Sequence, residues 1–496
     1  MKQNNIFFRY FSPVATQQKL YVAVLVALLS SSAYEAEAQV GEPFIHDPST
    51  IALCDGKYYT FGTGEGGIWS EDGWTWQGGA VRPGRGAAPD VLKIGDRYLV
   101  AYSATGGGLG GSHRGDVLTM WNKTLDPKSP DFKYTEPVVV ASSLDDEDCD
   151  AIDAGLLLDP TTGRLWLSYG TYFGFIRLVE LDPKTGKRME GNEPVNIAID
   201  CEATDLIYRN GWYYLLGTHG TCCDGPNSTY NIVVGRSRKI TGPYVDNVGR
   251  EMLQGGGKMV IAANNLKTGP GHFGRYIEEE GVEKMSFHYE SDFRQGGRSV
   301  LAIRPLLWKN DWPVAGDEFH AGTYEIESER RGYALEIAVD FVRMQRDIEP
   351  FWIKPTKPLK NIEPQTLKEV EAEWPKGEVK VRMNDYMFRP HQKWSIMPAG
   401  KGGYLGGPYY KICIEGTTRC LTATAQHDVI AKPEFTGEDA QLWRIEQLTD
   451  GTYRIIPKSV PGTEEKLALV SLGDCTPGLA PFDFNSDNSK WNFRQQ

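Results

Sequence analysis

Apolar residues in this chain come in short runs broken by Gly, Asp and Asn, and sustained helical periodicity is nearly absent. Alternating apolar and polar positions between turn residues predict strands, and their density predicts an all-β protein. Between residues 40 and 320 one unit recurs: an acidic residue or His, an apolar strand, a Gly turn and an aromatic second strand. Asp47 precedes Gly56-Lys57-Tyr58-Tyr59, Asp90 precedes Gly95-Asp96-Arg97-Tyr98, and Asp153 precedes Gly163-Arg164-Leu165-Trp166. Glu202 precedes Gly211-Trp212-Tyr213-Tyr214, and His272 precedes Gly281 and Met285. Five units of about 56 residues match four-stranded propeller blades. If each unit opens on an innermost strand, Asp47, Asp90, Asp153, Glu202 and His272 begin at one end of a central channel and face one another across a funnel.

A three-fold pattern follows. Gly322-Thr323-Tyr324, Gly407-Pro408-Tyr409-Tyr410 and Gly451-Thr452-Tyr453 each open a stretch that closes on Trp394, Trp443 or Trp491. Two closures read Gln392-Lys393-Trp394 and Gln441-Leu442-Trp443, and the third reads Ser489-Lys490-Trp491. The first repeat is about 35 residues too long, and the Pro-, Lys- and Glu-rich stretch near 347–380 is the expected insertion. Three such repeats resemble the ricin-type β-trefoil, in which the Trp residues pack around the pseudo-three-fold axis. The expected architecture is a five-bladed β-propeller over residues 39–320 followed by a β-trefoil over 321–496. Whether the trefoil binds sugar is open.

Composition adds compartment and partner class. The first 38 residues combine basic positions up to Lys19, an apolar run from Leu20 to Leu29 and a small-x-small site at Ala36-Glu37-Ala38, the features of a removable signal peptide. The apolar run is shorter than the ~20 residues a membrane span needs. A secreted or periplasmic protein is expected, with no membrane association after cleavage. The chain of 496 residues has a formal charge of −12, and loss of the leader makes it −13, which disfavours nucleic acid as a partner. All eight Cys follow the leader, where disulfides are permitted, and Cys413 and Cys420 flank one expected hairpin. The Gly run Gly106–Gly111 is not a phosphate loop, because no Gly-Lys-Ser/Thr follows it.

Carboxyls crowded in one funnel are driven apart in pKa, leaving one protonated and another ionised. Such a pair can hydrolyse a glycosidic bond. His46-Asp47-Pro48-Ser49, Ala88-Pro89-Asp90, Ala151-Ile152-Asp153, Glu202-Ala203 and Gly269-Pro270-Gly271-His272 occur in order, one per unit. With Cys222-Cys223-Asp224-Gly225, Ser228-Thr229-Tyr230, Val234-Gly235-Arg236-Ser237 and Ile240-Thr241-Gly242-Pro243-Tyr244, this set resembles glycoside hydrolase family 43, and within it the arabinan-degrading enzymes.

The resemblance implies an inverting hydrolase in which Asp47 is the general base, Glu202 the general acid, and Asp153 the carboxylate that orients the acid and raises its pKa. Inversion requires the Asp47 and Glu202 carboxyls to stand roughly 6.5 to 9.5 Å apart. Asp90 is expected to bind sugar hydroxyls, and His272 to contact substrate or to lie beside a hydrated calcium on the channel axis. The implied substrate is arabinan or another arabinose-containing plant cell-wall polysaccharide, cut internally or from an end. Ala87 stands where arabinanases usually carry Trp, removing an apolar face for a sugar ring, and Asp150 and Asp205 are expected to add acceptors near the funnel. α-L-Arabinofuranosidase, β-xylosidase and galactan-cleaving activities stay open, as does a carbohydrate-binding protein without catalysis. Trp69, Trp74 and Trp76 are either rim platforms or fillers between blades.

Overall fold

The computed structural model describes residues 39–105, 112–275, 278–339, 371, 374–473 and 475–496. The expected signal peptide, the Gly106–Gly111 run and most of the expected insertion lie outside the described residues.

Strands Ala52–Cys54 through Trp312–Ala315 form five four-stranded blades, each a meander, as the recurring strand-turn-strand unit predicts, and the two-residue strand Val40–Gly41 adds a parallel edge to Thr75–Ile94. The first two share the 20-residue strand Thr75–Ile94, which ends one blade and opens the next. Among the described residues no strand is exchanged between first and last blades. The ring closes where Phe44 bridges Val300 and the Leu301 N–H donates to Pro43 at 2.8 Å.

At the funnel end, beside the head of each blade's innermost strand, stands a non-glycine residue at positive φ: Asp47 (51°), Ala88 (45°), Asp153 (58°), Ala203 (47°) and His272 (59°). Such backbone is costly for residues with a Cβ and collects where function holds it. In blades two, four and five it lies within a shift of strand register, at Ala87/Asp90, Glu202/Asp205 and Gly271/Gly274. Bulges re-aim side chains. The expectation of five equivalent leading residues therefore holds at Asp47, Asp153 and His272, but Glu202 stands one residue before its blade's equivalent position and Asp90 two residues after.

The trefoil forms from Gly322–Ser328 through Trp491–Gln495. Trp394, Trp443 and Trp491 are fully buried, and their indole N–H groups donate to Leu335, Leu421 and Leu469 at 2.8, 3.1 and 2.7 Å. Those pairs span 59, 22 and 22 residues, so the extra length of the first repeat falls between donor and acceptor. Cys413 and Cys420 form the expected disulfide. On the axis, the Phe319 ring sits 5.3, 5.4 and 5.9 Å from those of Tyr324, Tyr410 and Tyr453, the Tyr residues of the three repeats.

The two parts meet at the end of the propeller away from the positive-φ residues. In the trefoil hairpin around Gly403–Gly406, the N–H groups of Leu405 and Gly406 donate to Asp72 and Gly73 at 2.8 and 2.9 Å. Leu405 is buried with Ile45, Trp76, Leu301 and Ile303 of the propeller. Beside it Lys284 and Glu279 meet Arg444, Glu446 and Arg454. Burial pushes Lys284 down to about 8, whereas the arginines hold Glu446 at about 2 against the effect of burial. Trp74 and Trp76 are buried, Trp74 against the trefoil hairpin at Gly403, and Trp69 is half-buried with its N–H on the Gly78 carbonyl. These Trp residues pack the fold.

Candidate active site

Asp47 precedes its blade's first strand and is held from several sides. Its backbone N–H donates to Nδ1 of His288 at 2.9 Å, and Nε2 of His288 lies 3.2 Å from Glu290, so His288 carries its proton on Nε2. The Thr63 hydroxyl donates to Asp47 Oδ2 at 2.6 Å while accepting the Ala88 N–H at 3.1 Å. His46 Nε2 lies 3.4 Å from Oδ2, and His272 Nδ1 lies 3.5 Å from Oδ1. Burial works against the charge, but His46, then His272 and His288, hold the Asp47 carboxyl well below the usual carboxylate range. The same contact raises His272 above the ordinary histidine value despite its burial.

Glu202 opens the strand Glu202–Arg209 and is 7 % exposed. Burial pushes its carboxyl up to about 8, opposed by the Tyr230 hydroxyl, which donates to Oε1, and aided by the charges of Asp47, Glu290 and Asp150. Asp153 is raised well above the ordinary value by burial and by Glu202; its Oδ2 accepts the Ala203 N–H at 3.1 Å, at the residue next to Glu202. Blades three and four touch backbone to backbone here. A Cβ on Gly155 would stand 2.0 Å from the Thr204 carbonyl oxygen, so only glycine lets these strands close.

The funnel thus holds an ionised carboxylate, Asp47, beside Glu202, whose carboxyl keeps a proton at neutral pH, the division of labour that acid–base cleavage of a glycosidic bond needs. Asp47, Asp153, Glu202 and His272 share this neighbourhood. Asp90 does not reach the same level: its oxygens accept the N–H groups of Thr50 and Leu156 at 3.1 and 2.9 Å, tying the first blade to the third. The bulge at Ala87/Asp90 is the reason, since it gives the funnel position to Ala88.

Below His272 a small cavity is bordered by Asp90 and Asp205. Burial pushes Asp205 up to about 7, with Arg275 opposing; Oδ2 lies 3.8 Å from Arg275 Nε and has no hydrogen-bond partner. A carboxyl with an oxygen that lacks a hydrogen-bond donor, bordering the same cavity as an imidazole, suits a hard cation reached partly through water. Among the described residues, the trios with ligand atoms within 4.8 Å of one another are His46, Asp47, His288 and His46, Cys223, Glu290. His272 belongs to neither, so it would supply one ligand and water most of the rest.

Sequence reasoning missed several members of the site. Thr63 and Tyr172 carried no signal. His288 and Glu290 are two apart on one strand and so share a face, a pattern visible only once the strand is known to line the channel. Tyr230 stood within the quoted Ser-Thr-Tyr segment but had no role assigned. Tyr172, raised by burial and then by Glu202 and Asp153, packs 4.5 Å from the exposed Phe173 ring at the funnel mouth.

Comparison with known proteins places this geometry. The family model for glycosyl hydrolases family 43 matches residues 40–313, and the ricin-type beta-trefoil lectin domain-like model matches residues 390–462. The extracellular exo-α-(1→5)-L-arabinofuranosidase of Cellvibrio japonicus is 30 % identical over 332 residues, 60 % of this chain and 91 % of that protein. The extracellular endo-α-(1→5)-L-arabinanase 1 of Bacillus subtilis is 31 % identical over 319 residues, 59 % and 94 % of the two chains. Among solved structures, an exo-1,5-α-L-arabinanase from a bovine ruminal metagenomic library superposes with a TM-score of 0.51 at 33 % identity, covering 55 % of this chain and 97 % of that one. A family match over more than half the chain, laid on five blades whose funnel separates an ionised from a protonated carboxyl, makes this protein a glycoside hydrolase of family 43 with a ricin-type β-trefoil behind its propeller.

Proposed function

We propose that the protein is an exported hydrolase of α-1,5-linked L-arabinan that inverts the anomeric centre, with Asp47 as general base, Glu202 as general acid and Asp153 positioning the acid. The observation that carries this reading is the opposed ionisation of Asp47 and Glu202 in one funnel. A water between Asp47 and the anomeric carbon gives its proton to the carboxylate as its oxygen bonds to that carbon from the face opposite the leaving group. The glycosidic C–O bond breaks, and Glu202 delivers its proton to the departing oxygen. One water is consumed, a hemiacetal of inverted configuration and a shortened chain leave, and solvent carries the proton from Asp47 back to Glu202. Thr63 aims the base, His46 and His272 keep it charged, and Asp153, bound to the Ala203 N–H, stands against the acid.

The arabinan-directed names of the relatives support the substrate, and the leader together with the extracellular relatives supports export. No helix among the described residues is long and apolar enough to cross a membrane. The trefoil is assigned to holding plant cell-wall polysaccharide, which raises local substrate concentration. Calcium at the axis fits the residues present: His272 would hold it directly, Asp205 and Asp90 through water, and its charge would steady the His272 ring that faces Asp47. Dialysis against a chelator then lowers activity, and added calcium restores it; unchanged activity and unchanged melting remove calcium from the site.

Product profiling on debranched arabinan, arabinogalactan, xylan and galactan tests the substrate. Arabinose or arabino-oligosaccharides from the first, absent with Asp47→Asn and Glu202→Gln, is the expected result. Release from xylan or galactan alone overturns the sugar, and equal release by all three proteins overturns the catalytic roles.

A further inference from the structure

Cys222 and Cys223, adjacent in sequence, are joined to each other. They stand in the loop between strands Trp212–His219 and Asn231–Ser237, which ends at Tyr230 beside the acid. The neck of that loop is tied: the Thr221 N–H donates to Thr229 Oγ1 at 3.0 Å, the Thr229 N–H donates to the Thr221 carbonyl at 3.2 Å, and the Ser228 hydroxyl donates to the same carbonyl at 2.8 Å. Cys223 is exposed, and its sulfur lies within 4.8 Å of a ring nitrogen of His46 and a carboxylate oxygen of Glu290. The disulfide therefore faces the funnel on the side of the base.

A sulfur already bonded to sulfur is not a thiolate ligand, which removes metal binding as the use of Cys223. What the pair presents is a compact, polarisable, apolar surface. The groups around it, His46, Asp47, Thr63 and Glu290, are polar and engaged with one another. A furanose ring has C–H groups that need an apolar counterpart, and Ala87 leaves the second blade without an aromatic side chain at that position.

We propose that the Cys222–Cys223 disulfide is a sugar-contacting wall of the funnel, against which the C–H face of the furanose bound beside Asp47 rests. The proposal rests on the arabinan-hydrolase reading and adds a binding contact to it. It also makes substrate affinity sensitive to reductant. A dithiol transfers two electrons and two protons to the sulfurs, the S–S bond breaks, two thiols form, and the reagent leaves as its own cyclic disulfide.

The test is steady-state kinetics on α-1,5-arabinotetraose with Cys222→Ser/Cys223→Ser and Cys222→Ala/Cys223→Ala. KM is expected to rise about fivefold in both, with kcat within about twofold and the alkaline limb of the pH profile unmoved. Dithiothreitol produces the same rise in Cys413→Ala/Cys420→Ala, which retains only the funnel disulfide of the two in the structure, and reoxidation reverses it. An unmoved KM in both double variants overturns the contact. A shifted alkaline limb with unmoved KM also overturns it, because the loop then acts only through Tyr230. If the parent does not turn over arabinotetraose, the functional reading fails and takes the proposal with it; parent turnover with unmoved variants sinks the disulfide contact alone.

Discussion

Thr63 donates its hydroxyl to Oδ2 of Asp47 at 2.6 Å while its own oxygen accepts the N–H of Ala88 from the next blade. One hydroxyl therefore joins the Asp47 carboxylate of the first blade to the backbone of the second and fixes the orientation of that carboxylate. In Thr63→Val the hydrogen bond is lost at nearly constant volume. kcat/KM should fall roughly tenfold with a small fall in melting temperature from the Ala88 N–H left without its acceptor, and a fall carried by KM alone would assign Thr63 to binding instead of orienting Asp47.

The pH profile follows from the acid. In the proposed role of general acid Glu202 acts with its proton held, and burial pushes it up to about 8, so kcat/KM should decline as pH rises through about 8. Asp47 stays ionised far below neutrality and contributes no acid limb in the ordinary range. The Tyr230 hydroxyl stabilises the charged form of Glu202, so Tyr230→Phe should move the alkaline limb upward. Asp150→Asn removes a negative charge and should move it downward. Profiles of kcat/KM for the three proteins check both signs.

The same proton has a cost in stability. A carboxyl whose folded pKa is raised contributes stability below its unfolded pKa and loses it as pH rises through the folded value. For Glu202 that window runs from its ordinary value of 4.5 to about 8. Glu202→Gln, though inactive, should melt roughly 1–3 °C above the parent at pH 8, with the gap closing near pH 4, as scanning calorimetry would show.

Inversion is a statement about the first product formed. Proton NMR during the first minutes of hydrolysis should show the β-anomer of the new reducing end before mutarotation, and immediate accumulation of the α-anomer would indicate a covalent intermediate on the enzyme.

The trefoil hairpin completes the back of the propeller. Leu405 fills space between Ile45, Trp76, Leu301 and Ile303, and its backbone caps the Asp72 turn. A chain ending at residue 321 should express poorly or melt several degrees below the parent, and Leu405→Ala in the full chain should cost about 2–4 kcal/mol. A truncated propeller as stable as the parent would show that the hairpin adds nothing.

The five-blade count, the turn at each Gly and the three Trp closures were legible because they are periodic, and periodicity survives without coordinates. Asp47, Asp153 and Glu202 were legible as one acidic residue per unit. The misplacement of Asp90 has a physical reason: a bulge adds a residue without altering composition, so counting from the Gly turn cannot tell Ala88 from Asp90. His288 and Glu290 were hidden because they lie on the second strand of their blade, where the repeat carried no marked position. The Cys222–Cys223 bond was hidden because side-chain pairing is not periodic.

The trefoil is fastened at the turn ends of the blades, at Asp72, Gly73 and Gly281, whereas Asp47 and Glu202 open at the other end. Funnel and trefoil therefore sit back to back. On the proposed reading that the trefoil holds polysaccharide, a stretch of polymer lying on it would not thread straight into the funnel, and the bond that is cut would belong to a different strand of the wall or to a distant loop of the same one. Such an enzyme would graze a mesh around its anchor instead of travelling along a single fibre, and its advantage over a lone propeller should appear on insoluble cell wall and vanish on short soluble oligosaccharides.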